Sequence, residues 1–243
     1  MMAERDWSWL RTAKKRLDRD VPSCRPSGRV ITSLQLLEVG EELMEESKPK
    51  PGSPVGKRNA IRFRDGLLVA LPGCIPIRRK NLADLEIGRQ LIREGDRWFV
   101  VVPAEESKTG ISMPYQVPEF LEPYLVLYLD IVRPALLRHP TFPALWVSSK
   151  GGAICYDAIG QIFSQRVTSR LGFRVTLHDA RDAAVTTWAI FAPDQIGVAH
   201  DLLGHNNPNT SDKYYNRARG IEASRAHSKL IAGMRRKQRR RGS

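Results

Sequence analysis

A chain of 243 residues with 42% hydrophobic side chains and a formal net charge of +13 can build a sizeable core and favours a polyanionic partner, nucleic acid first. Its three cysteines, Cys24, Cys74 and Cys155, are widely spaced and form no C-x-x-C pair, which argues against a zinc site or a disulfide framework. No stretch approaches the ~20 apolar residues of a membrane span, and MMAERDWSWLRTAKKRL lacks the apolar core of a signal peptide. The expectation is a soluble, intracellular protein with no membrane partner.

Residues 6–18 read as a short basic helix with Leu10, Ala13 and Leu17 on one stripe, followed by a linker, RDVPSCRPSG. Thr32 and Gln35 form a capping-box signature for a helix through about Glu46, with Leu36, Val39 and Leu43 inward. A helix from about Arg58 to Leu71 is expected to break at Pro72-Gly73, and a short one follows from Arg78 to Asp84. Three β-runs come next, at 85–92, 97–103 and 110–118, turning at Glu94-Gly95-Asp96 and at Ser107-Lys108-Thr109-Gly110. The spacing then predicts a helix from Pro118 with Leu121, Leu125, Leu129, Val132 and Leu136 inward. Another runs from about Asp157 to Leu171, ending at Gly172. The fold class is therefore mainly α with a small three-stranded antiparallel sheet.

The most informative stretch is 176–218. His178 and Arg181 are three apart and share one helix face. Asp194 reads as the N-cap of the next helix, with Ile196, Ala199, Leu202 and Leu203 buried, and Gly204 stops that helix and presents His205. Asn209 or Thr210 caps a last short helix bearing Tyr214 and Tyr215. Two imidazoles, a guanidinium and a phenol thus come from three consecutive helix ends, which is a cluster suited to handling phosphate. Trp188 and Phe191 read as core. His200 and His205 are five apart, unlike the i, i+4 pair of a helical zinc site, and no G-x-x-x-x-G-K-[ST] loop of a nucleotide-driven motor is present. The last residues, 235–243, are a basic tail too polar to fold alone.

This ordered pattern resembles the catalytic domain of the tyrosine recombinases, the phage integrase family. Its hallmarks are an early Arg, a Lys on a β-hairpin, a His-x-x-Arg helix, a Leu-Gly-His box and a nucleophilic Tyr nine or ten residues on. Here they look like Arg78, Lys108, His178 with Arg181, His205, and Tyr214 or Tyr215. Asn81 stands where the family usually has Glu, and Ala180 where it has a larger apolar residue. The resemblance divides the chain into 1–21, a remnant of an N-terminal DNA-clamping domain with its linker, 22–234, the catalytic domain, and 235–243, a disordered tail.

The resemblance implies a site-specific recombinase of the kind that integrates mobile DNA, acting on double-stranded DNA without a cofactor or metal. It implies a tetramer assembled on DNA and a cytoplasmic, nucleoid-associated location. Arg78 and Arg181 would clamp the non-bridging phosphate oxygens, for which a guanidinium fork is suited. His178 and His205 would add hydrogen bonds or assist proton transfer, and Lys108 would protonate the leaving 5′-oxygen. A tyrosine would carry the DNA as a 3′-phosphotyrosyl ester. Relatives with His-Tyr in place of Tyr-Tyr use the second position, and Asn216-Arg217-Ala218 is similar to theirs, which favours Tyr215. Two other readings stand beside this one. The chain could be a truncated, non-catalytic DNA-binding remnant, or it could keep the strand-breaking chemistry without exchange, as type IB topoisomerases do.

Overall fold

Two crossed helices hold the centre of the core. The structure, a computed structural model, describes residues 30–107, 110–195, 197–203 and 213–241, with the side chains of 193, 200, 213–222 and 239–241 excepted. The basic helix expected around Leu10–Leu17 and the linker after it lie outside the described residues, and one compact unit runs from Ile31 to Ser243.

Helix α1 (Ser33–Glu46) opens with the expected capping box: Thr32 accepts from the Gln35 amide, and the Gln35 side chain accepts from the Thr32 amide at 2.9 Å. Its buried stripe includes Leu36, Val39 and Leu43. Helix α2 (Lys57–Cys74) crosses it at two glycines. A Cβ on Gly40 would stand 2.6 Å from both the Gly66 carbonyl and the Ala70 Cβ. The sequence stops α2 before Pro72, but the helix continues to Cys74. Pro72 sits in the last turn, where only one intrahelical bond is lost, and every residue from Leu67 to Cys74 is buried, so packing keeps the turn helical. Asp65 of α2 is buried and accepts from Arg64 Nη2 at 2.5 Å and from Arg166 Nη2 at 2.7 Å, which pins α2 to the later helix carrying Arg166.

Helix α3 (Arg79–Ala83) lies where expected. The sheet is antiparallel in the order β1 (Leu91–Glu94), β2 (Arg97–Val102), β3 (Met113–Gln116). Leu91 pairs with Val100, which pairs with Tyr115, and all three face the core. The first strand is shorter than the expected 85–92. Gly88, at φ 83°, turns the chain in a conformation that favours glycine, and the Leu91 amide closes back on Glu86 at 3.0 Å. The β2–β3 connection is longer than a four-residue turn and starts with a 3₁₀ turn at Ala104–Glu106. Lys108, its expected tip, lies outside the described residues.

Helix α4 (Glu122–Leu127) runs into a π-helical turn at Tyr128–Val132 and a 3₁₀ turn at Pro134–Leu136. The Arg133 amide bonds to Tyr128 at 2.7 Å, and the wider turn puts Tyr128 inside where the periodicity predicts Leu129. Helix α5 (Tyr156–Leu171) ends at Gly172, at φ 75°. Helix α6 (Leu177–Phe191) and, after a 3₁₀ turn at Pro193–Gln195, helix α7 (Gly197–Leu202) follow. Asp194 lies inside that 3₁₀ turn instead of capping α7. Trp188 is core as expected, whereas Phe191 is 50% exposed. Ala199, Leu202 and Leu203 are buried as expected; Ile196 and Gly204 lie outside the described residues, as do Asn209 and Thr210.

The expected short last helix is instead α8, 29 residues from Lys213 to Arg241. The helix continues through Arg241, in the stretch from Arg235 where a disordered tail is expected from the sequence. Arg235 forms an ion pair with Glu41 of α1 at 2.5 Å and lies 5.3 Å over the Phe120 ring. A stripe of Ala223, Ser224, His227, Ile231 and Met234 seats α8 against the body. Ser224 Oγ accepts from the Gln116 amide of the edge strand β3 at 3.1 Å. Among the described residues no helix is long and apolar enough to cross a membrane.

His227 is fully buried, 3.4 Å from the Gly73 carbonyl at the end of α2, with its ring 6.2 Å from that of Trp188. Burial pushes its imidazole down to about 4 from 6.5. A depressed histidine contributes stability that is present above the unfolded value and is lost as pH falls, here from about 6.5 toward 4, at up to ~1.4 kcal/mol per pH unit. Unfolding midpoints across that window should fall more steeply for the wild type than for His227→Phe; parallel curves would refute this.

Candidate functional site

The extended segment Pro76-Ile77-Arg78 leaves α2 between buried residues Ile75 and Ile77 and delivers Arg78 as the N-cap of α3. Trp146 fixes that helix by donating its indole N–H to the Leu82 carbonyl at 2.7 Å. Across from it, α6 starts at a second capping box, in which Thr176 accepts from the Asp179 amide and Asp179 accepts from the Thr176 amide at 2.7 Å. This cap fixes the first turn, so His178 is exposed at the helix start and Arg181 stands one turn further in. The Thr-x-x-Asp spacing that signals this cap is visible in the sequence.

Arg78, His178 and Arg181 line one open groove of ≈ 1380 Å³, with α5 as the facing wall. Arg79 and Arg174 also line it. Arg79 stacks 4.0 Å over the Tyr156 ring and pairs with Asp157 at 2.7 Å. Arg181 is held by backbone: it donates from Nη1 to the Pro76 carbonyl and from Nη2 to the Leu203 carbonyl at 3.1 Å. Burial pulls its guanidinium below the usual value, and the like charge of Arg78 adds to that pull. The group stays protonated all the same. Two cations held close together at the foot of a groove favour an anion between them.

Tyr115 of β3 was not singled out by the sequence. It is buried, donates to the Leu202 carbonyl at 3.0 Å, and lies close enough to Arg181 and Arg78 for both to act on its titration. Burial pushes its phenol up to about 12. Its place in an alternating strand marks it as core, and nothing local signals the arginines above it.

The connection that carries Lys108 is tied down just before that residue. The Asn81 side chain donates to the Glu106 carbonyl at 3.3 Å, and Gln90 Nε2 and Arg89 Nη2 reach the Glu106 carboxylate at 3.1 and 2.5 Å. Asn81 therefore serves the hairpin. Lys108 and His205 lie outside the described residues. Tyr214 and Tyr215 fall in the first turn of α8, and their side chains are not described. Among the described residues no group of three or more His, Cys, Asp or Glu side chains could hold a metal ion.

No family model matches the chain, and no curated protein does. Solved structures do. The pre-cleavage complex of XerH site-specific recombinase bound to difH substrate matches with a TM-score of 0.50 and 20% identity, over 74% of this chain and 48% of that one. The post-cleavage complex with palindromic difH matches with a TM-score of 0.51 and 19% identity, over 80% and 52%. The chain spans about half the length of these recombinases. Its fold is that of a tyrosine recombinase catalytic domain.

Proposed function

We propose that the chain is the catalytic part of a site-specific DNA recombinase that breaks and rejoins DNA strands through a 3′-phosphotyrosyl intermediate. The observation that carries this reading is the pair Arg78 and Arg181, set with His178 on one groove. Arg181 spends two donors on backbone carbonyls and keeps its positive charge for a phosphate. In the reaction the phenol oxygen of Tyr215 attacks phosphorus, its proton passing to one of the imidazoles of His178 and His205, and the bond from phosphorus to the 5′-oxygen breaks. Lys108 gives its proton to the departing oxygen, and His178 and His205 assist at the non-bridging oxygens. The guanidinium pair stabilises the added charge of the five-coordinate phosphorus. The ester conserves the bond energy, so a second strand can be joined without ATP. The partner is double-stranded DNA, with copies of the chain assembling on it, and integration or excision of mobile DNA is the setting.

The test is a nicked duplex that loses its short 5′-hydroxyl fragment after cleavage, incubated with the protein in EDTA. A protease-sensitive covalent complex on the 3′ side of the break is the expected product. A strict requirement for Mg²⁺ sinks the mechanism, and binding without any adduct favours the non-catalytic DNA-binding remnant.

A further inference from the structure

We propose that Tyr115 is a positioning residue of this site, its hydroxyl holding the end of α7 in register with Arg181. The inference rests on the recombinase reading for its catalytic consequence, but its geometry stands alone. Helix α7 spans six residues, Gly197–Leu202, too few to be stable without tertiary anchors. The last carbonyls of a helix lack intrahelical partners. Here the last of them, that of Leu202, is met by Tyr115 Oη at 3.0 Å, and the next carbonyl, that of Leu203, by Arg181 Nη2 at 3.1 Å. The two residues after Leu203 are Gly204 and His205, so the hydroxyl and the guanidinium together set where the chain leaves for the histidine. Tyr115 also belongs to β3, the strand that follows the connection carrying Lys108. One phenol thereby ties that hairpin, the α7 end and the arginine pair into a single register.

Burial keeps the phenol neutral up to about pH 12, so it retains its proton throughout the working range, and of the two acceptors in reach the Leu202 carbonyl at 3.0 Å is a stronger one than the Met113 thioether at 3.5 Å. Phenylalanine would fill the same space and leave the carbonyl of Leu202 without this donor. Tyr128 supplies a matched control, a second buried tyrosine whose hydroxyl donates to the Leu145 carbonyl at 2.7 Å away from the groove.

The experiment compares wild type, Tyr115→Phe and Tyr128→Phe in three measurements: DNA affinity, single-turnover adduct formation at saturating nicked duplex, and amide hydrogen exchange. Tyr115→Phe should bind DNA as the wild type does and form adduct about tenfold more slowly, the scale of a sub-ångström misplacement. It should also exchange the amides of 201–203 faster. Tyr128→Phe should leave the adduct rate and that exchange unchanged. An unaltered adduct rate or unaltered exchange at 201–203 in Tyr115→Phe overturns the proposal, as does an equal effect in Tyr128→Phe. If the wild type forms no adduct, the recombinase reading fails, and the exchange comparison alone upholds or overturns the role of Tyr115.

Discussion

Arg181→Ala is expected to slow covalent-complex formation at least ~100-fold, about 2.7 kcal/mol of barrier, the scale measured for loss of one oxyanion donor. The effect has two sources. One is removal of a charge that meets the developing negative charge on the phosphate. The other is structural, because the same guanidinium bonds the carbonyls of Pro76 and Leu203, two residues before Arg78 and two before His205. Leaving two carbonyls unmet should also lower global stability by ~1–3 kcal/mol. Arg181→Lys separates the two: it keeps the charge but cannot span both carbonyls with a planar fork. Single-turnover rates on protein shown to be folded by its near-ultraviolet spectrum decide the matter. An undiminished rate in Arg181→Ala removes the residue from the site.

Tyr215→Phe should abolish the adduct, whereas Tyr214→Phe should leave it. Both positions fall in the first turn of α8, which begins at Lys213. Successive helical residues point ~100° apart, so one tyrosine at most faces a phosphate held by Arg78 and Arg181. The reciprocal result assigns the chemistry to Tyr214, and adduct in both single variants but not in the double one shows that either can attack.

Much of this arrangement was legible in the sequence. His178 and Arg181 at helical spacing, after a strand-rich segment and with Arg78 far upstream, led to the groove where the structure brings the three together. The helix ends marked by Thr32 with Gln35 and by Gly172 were equally readable, since a cap is a local hydrogen-bonding event. What escaped depends on distant contacts. Tyr115 looks like any inward strand residue until the end of α7 and the two arginines come close to it. Pro72 signals a break, yet burial on both sides of it holds the helix. The π-helical turn at Tyr128–Val132 leaves the run of leucines unchanged and shifts which residue faces in. The basic run from Arg235 is too polar to fold alone, and its partners, Glu41 and Phe120 among them, lie far off in sequence.

The length of α8 has a mechanical meaning. In a helix that begins at Lys213 and is seated on the body at Ala223, Ser224 and His227, the backbone of Tyr215 stands ~14 Å from Ser224 at the helical rise per residue. A tilt of ~5° about Ser224 would carry the backbone of Tyr215 by ~1.2 Å, on the scale at which misplacement slows a reaction ~100-fold. Under the proposed chemistry, the seat of Ser224 on the sheet edge and of His227 against Gly73 would then tune the aim of the tyrosine from a distance.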